Sequence, residues 1–108
     1  MTPADTGSVA DVRPIVAAAR AYLDGQAGVV ATARIVADLV RGGNFAADDL
    51  LVGFTAIDFE SDSFPLGEGR KTWNLAALAR ADAAREQYES SMAHTMTYMC
   101  RQIVASFT

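Results

Sequence analysis

The residue types able to do chemistry are concentrated in one stretch, Ala56–Asn74, which reads A-I-D-F-E-S-D-S-F-P-L-G-E-G-R-K-T-W-N. Asp58, Glu60 and Asp62 alternate as D-x-E-x-D, the pattern with which a calcium loop opens. Continued from Asp58, that register puts Ser63 where an EF-hand needs its glycine and Gly69 where it needs its bidentate glutamate. Both positions fail, and no metal site is assigned. The acids read instead as caps for helix ends and turn N–H groups, one or two of them paired with Arg70 or Arg85. A guanidinium holds its N–H donors in a fixed fork, so Arg70 can tie loop carbonyls to a carboxylate or be presented to an anionic partner. Gly67-Glu68-Gly69-Arg70-Lys71 resembles a phosphate loop in composition only, because the P-loop spacing is missing and no strand precedes it. Trp73, the single tryptophan, stands just before Asn74. There it suits either a hydrophobic staple with Leu78 or a binding hot spot.

Outside this stretch the chemistry is sparse. His94 follows Ser90 by four residues and Ser91 by three, so a helix could bring a hydroxyl near the imidazole. No orienting acid or oxyanion donor accompanies them, and neither a catalytic residue nor a cofactor is assigned. A zinc site would need further histidine or cysteine ligands at suitable spacing. Met92, Met96 and Met99 repeat with Tyr88 and Ile103 at helical spacing. Such a stripe reads as core, or as an adaptable partner face. Cys100 beside it reads as a buried, inert thiol.

Composition narrows the function classes. The 108 residues are 51% hydrophobic and 20% charged, which suits one folded domain with its own core and excludes a disordered chain. A formal net charge of −4 repels phosphate backbones and anionic headgroups, so neither nucleic acid nor a membrane is an expected partner, whereas a basic protein is. The apolar content hints that some face is covered by a partner or by a second copy in a homodimer. The single cysteine fits a reducing compartment. The start of the chain lacks the basic flank and apolar run of a signal peptide, and no stretch reaches the about 18 apolar residues of a membrane span. The expected location is cytoplasmic.

The positioning elements are helical. Residues 1–10 read as a flexible arm ahead of a single helical domain spanning 11–108. Asp11 and Pro14 open a first helix carrying Ile15, Val16, Ala19, Tyr22 and Leu23, which Gly25 and Gly28 end. A second helix over Val29–Arg41 has an apolar arc that includes Ile35 and Leu39, wide enough for more than one neighbour, with Arg34, Asp38 and Arg41 on its solvent side. Asn44 is the candidate cap of a third helix, with Asp48 and Asp49 near its first turn, the buried stripe Leu50, Leu51, Phe54 and Ile57, and Gly53 placed for a close crossing. The β-branched and aromatic residues of Leu51–Phe59 also suit a strand. Phe64-Pro65-Leu66-Gly67 carries a type I turn signature. After Asn74 no glycine or proline interrupts the apolar spacing to Phe107, which predicts one helix of about 50 Å whose charged first third extends past its neighbours. The expected architecture is all-α: a four-helix-bundle-like domain with one long structured loop and a long C-terminal helix.

The loop also carries a resemblance. Ile57, Asp58, Glu60, Ser61, Asp62, Pro65, Gly67, Arg70 and Trp73 match I-D-x-E-[ST]-D-x-x-P-x-G-x-x-R-x-x-W. This resembles a pattern found in a family of small bacterial helical proteins, in which the stretch leads into a long charged helix. The likeness covers roughly 56–82 and implies a bacterial source and a helical fold. It transfers no activity. The wider profile, small, acidic and helical, is similar in type to bacterial immunity proteins and antitoxins.

The expected function is therefore non-enzymatic protein binding, plausibly of that neutralising type, through Asp58, Glu60, Asp62, Arg70 and Trp73. The alternatives are a structural or regulatory homo-oligomer, and a small-ligand binder or enzyme using the Asp/Glu/Arg loop.

Overall fold

The computed structural model describes residues 11–43 and 49–107. Among the described residues four α-helices run in chain order: α1 Arg13–Leu23, α2 Val29–Gly42, α3 Asp49–Glu60 and α4 Leu75–Phe107. A 3₁₀ helix, Gly67–Thr72, interrupts the connection between the last two. Among the described residues there is no strand, and Leu51–Phe59 is helical. The fold is all-α. The expected arm at 1–10 and the expected Asn44 cap lie outside the described residues.

Local sequence accounts for most of the element ends. Pro14 sits in the first turn of α1, and the Asp11 carboxylate accepts the backbone N–H of Arg13 at 3.0 Å, although Val12 occupies the cap position itself. At the other end Gly25 adopts φ +79. This left-handed residue lets Gly25 N–H reach the Tyr22 carbonyl (3.0 Å) and Gln26 N–H the Ala21 carbonyl (2.8 Å), a Schellman stop. Asn74 caps α4 through its side chain, which accepts the Ala77 N–H at 2.7 Å. From that cap α4 runs 33 residues, about 50 Å at 1.5 Å per residue, and it dominates the longest dimension of the molecule, 56 Å.

The helices form an up-down bundle. Tyr22 of α1 lies against Ala93 and Thr97 of α4 while Val12 lies near Phe107, so these two helices are antiparallel. Glu60 meets Tyr88 and Gly53 meets Met99, so α3 is also antiparallel to α4. α2 touches all three other helices, as its wide apolar arc requires. The core is drawn from every helix: Ile15 and Ala19; Val29, Ala33 and Val36; Leu51, Phe54 and Ile57; Met96, Cys100 and Ile103. At Gly53 the α3–α4 crossing is close enough that an added Cβ would fall against the Met99 sulfur.

Three expectations are corrected. Ile35 and Leu23 are exposed: Ile35 lies on the side of α2 away from buried Val29, Ala33 and Val36, and Leu23 is the last residue of α1. The Phe64–Gly67 turn is not type I: Leu66 is extended (φ −133, ψ 154) and Gly67 takes φ +57. The chain turns three residues earlier, where Phe64 N–H donates to the Ser61 carbonyl at 3.1 Å. Finally, α3 continues through Glu60, so Asp58 and Glu60 are helical residues and the irregular connection begins at Ser61.

Candidate functional site

The five sequence candidates fall into two groups, one held inside the fold and one left at its surface. Asp58 belongs to the first. It projects from α3 toward α2 and receives Arg41 Nη2 at 3.0 Å and Arg34 Nε at 3.8 Å, with only 13% of its side chain exposed. Arg70 joins this group by its bonds, although 35% of its side chain is exposed. Its guanidinium grips Asp82 of α4 with two parallel bonds of 2.7 and 2.8 Å and reaches the Pro65 carbonyl at 3.4 Å. The hydrogen bonds from Arg70 hold the Asp82 carboxyl below its ordinary 3.8, helped by the charges of Arg70 and Arg85. The acids were expected to pair with Arg70 or Arg85. Instead Asp58 pairs with the two arginines of α2, and Arg70 takes an acid of α4.

Glu60, Asp62 and Trp73 form the surface group. Glu60 is exposed and accepts the Tyr88 hydroxyl proton at 2.8 Å. Burial and this hydrogen bond push the Tyr88 phenol up to about 12. Tyr88 in turn packs against Phe64, ring centroids 5.9 Å apart, which seats the start of the connection on α4. Asp62 is exposed two residues further on, and Trp73 keeps 39% of its surface in solvent. Trp73 N–H donates to the Arg70 carbonyl at 3.2 Å, so the Arg70 clamp also fixes the tryptophan's backbone.

Two residues not singled out in the sequence do much of the positioning. The sequence pattern puts Arg34 on the solvent side of α2, but its Nη2 donates to the carbonyls of Ser61 (2.7 Å), Asp62 (3.3 Å) and Phe64 (2.7 Å). A cation thereby satisfies carbonyls at and beyond the C-terminus of α3, where the helix dipole also favours it. Glu89 serves the opposite end of α2. Gly28 at the α2 cap has no side-chain acceptor, and Glu89 Oε2 accepts the Val30 N–H at 2.9 Å in its place. A Cβ on Gly28 would sit 2.8 Å from that oxygen, so the missing side chain at the cap makes room for the distant carboxylate. The only sequence hint of this was a helix start lacking a capping side chain.

These contacts join into one chain of charges. It runs from Arg70 to Asp82, from Asp82 to Arg85 (3.7 Å), from Arg85 to Glu89 (2.9 Å) and on to the start of α2. The connection 61–74 is thus fastened at both ends, by Arg34 and by Arg70. The acids Glu60 and Asp62 stand on a fixed frame at the first fastening.

The remaining reactive side chains are placed as follows. Ser91 donates its hydroxyl proton to the Tyr88 carbonyl at 2.7 Å, and His94 is exposed. Cys100 is buried against Met96 (3.6 Å), and burial pushes its thiol up to about 11. Met96 is fully buried, while Met92 and Met99 pack on the core from its edge. Among the described residues no three or more His, Cys, Asp or Glu side chains converge as a metal would need. No helix among them is long and apolar enough to cross a membrane.

Two further observations concern the stretch around Glu60. Between Arg41 and Arg70 the sequence carries six acids and neither lysine nor arginine; of these, Asp58 is paired with Arg34 and Arg41 and Glu68 with Lys71, while Glu60 and Asp62 are exposed. In addition, the apolar residues of α3 are spread around its whole circumference. One side packs into the core, and the opposite side leaves Val52 (55%) and Phe59 (84%) exposed with Ala56 between them.

No protein-family model matches this chain, and neither a curated protein nor a solved structure is significantly similar to it.

Proposed function

We propose that this protein is a non-enzymatic binding module whose partner is another protein, recognised at the acidic surface around the end of α3. The observation that carries the reading is the rigid presentation of Glu60 and Asp62. Both are exposed, in a part of the sequence without a basic residue, while Arg34 and Arg70 immobilise the backbone beneath and beyond them. Preorganised acids lose little freedom on binding and steer a basic surface toward them. Asp58 and Arg70 belong to the frame in this reading. Glu60, Asp62 and Trp73 belong to the contact.

The finer form of the proposal is a neutralising protein of the immunity or antitoxin type, acting inside the cell on a basic active surface. Small size, net negative charge and a wholly helical fold support that form by likeness of type. The test is affinity capture of the tagged full chain from the organism that encodes it, at low and high salt. One stoichiometric protein released by salt supports the reading. Recovery of the bait alone would overturn it.

A further inference from the structure

α3 is apolar on both sides, yet the fold covers only one. Leu51, Phe54 and Ile57 enter the core, whereas Val52, Ala56 and Phe59 form a row on the opposite, solvent-facing side. Their spacing, i, i+4 and i+7, is that of a helix–helix seam, and the small Ala56 between two larger residues leaves a hollow for a facing side chain. A helix apolar all round is ordinarily buried all round. Scattered exposed hydrophobic residues need no explanation, but an aligned row ending in an 84% exposed phenylalanine does.

Charge decides what covers the row. Glu60 and Asp62 stand beside its Phe59 end. The sequence between Arg41 and Arg70 offers neither lysine nor arginine to meet them. If a second copy paired through the same row in parallel, Glu60 and Asp62 would face themselves. In an antiparallel pairing they would face a copy of the same stretch, which again offers no cation. Neither arrangement neutralises the acids, which costs specificity and affinity.

We infer that the outer row of α3 docks an amphipathic helix of the partner, with Val52, Ala56 and Phe59 taking its apolar face and Glu60 and Asp62 its lysines or arginines. This rests on the protein-binding reading above and adds the partner's secondary structure and charge. Phe59 is the expected anchor, because it stands between the apolar row and the acids, and large aromatic side chains dominate the energy of a contact.

The test uses the full chain and a defined probe, an amidated leucine/lysine peptide about 18 residues long, or five helical turns. Its leucines are at heptad spacing. Two controls accompany it: a scrambled peptide of the same composition and a leucine/glutamate counterpart. Binding is read by calorimetry, and peptide helicity by circular dichroism. The patterned basic peptide is expected to bind and become helical. Phe59→Gln should weaken it at least about tenfold, as loss of a hot-spot aromatic does. Val52→Gln should weaken it less, and both exposed-site variants should melt as the wild type does.

Equal binding of the scrambled peptide, unchanged by Phe59→Gln, would reduce the contact to charge alone and overturn the proposal. So would wild-type dimerisation that Phe59→Gln abolishes, since a second copy would then be the occupant. Neither result touches the parent reading if a salt-sensitive partner is still captured. Failure of that capture is a separate outcome.

Discussion

At the scale of single residues, Arg34 shows how a surface-looking side chain can hold a distant element. Its guanidinium meets three carbonyls at the end of α3 and the edge of Asp58, so truncation strands acceptors of which those of Ser61 and Phe64 are part-buried. Arg34→Ala is expected to cost about 2 kcal/mol, the range for hydrogen bonds to a charged group. For a domain of this size that lowers the melting temperature by roughly 8–16 °C. Arg34→Lys, with a single point charge, should recover only part of the loss. The Arg70–Asp82 clamp makes a pH-dependent expectation. Asp82 is held below 3.8 in the folded protein, so its contribution is complete above that value. It disappears as pH falls through the depressed one. Trp73 reports the event, since its backbone is bonded to Arg70. Iodide quenching of its fluorescence should rise only in acid below pH 3.8, whereas Asp82→Asn should show the raised quenching already at neutral pH. A wild-type profile that Asp82→Asn leaves unchanged would separate Trp73 from the clamp.

At the scale of elements, the helices and their stops were readable because their causes are local. Gly25 provides a left-handed stop, Asn74 an acceptor for its own helix, and the residues to Phe107 an unbroken apolar spacing. The ties between elements were not readable. Arg34 binds backbone carbonyls 27 to 30 residues away and Glu89 a backbone N–H 59 residues away. A main-chain group has no residue type to betray it in a sequence. Asp58 and Glu60 read as loop residues because acids interrupt the apolar stripe of α3, yet one faces the α2 arginines and the other Tyr88. Gly53 stands at a close crossing, as its place in an apolar helix predicts, and that crossing can be tested by a double-mutant cycle. Gly53→Ala gains about 1 kcal/mol of helix propensity. It also drives a methyl into Met99, at about 1–3 kcal/mol of overpacking. The single variant should therefore be less stable to urea than the wild type. In a Met99→Ala background the same change should stabilise. Additive effects would mean that the two residues do not share space in solution.

At the scale of the whole molecule, internal charges hold a frame and unneutralised acids remain outside it. Arg34, Arg41, Arg70 and Arg85 are each committed to acids or carbonyls of the fold, while Glu60 and Asp62 keep their faces to solvent. Because those acids flank the apolar row of α3, the isolated protein is expected to remain monomeric by light scattering at low salt. A dimer there would favour the homo-oligomer. The most direct measurement is a side-by-side capture at low salt with wild type and the Glu60→Gln/Asp62→Asn double variant. The substitutions remove both charges and leave Tyr88 its acceptor oxygen. If the acids recognise a basic protein, the wild type will retain one partner that salt releases. The folded double variant will then retain markedly less of it, with a flatter salt dependence. Equal recovery of that partner by both proteins at every salt concentration would contradict the assignment of this surface.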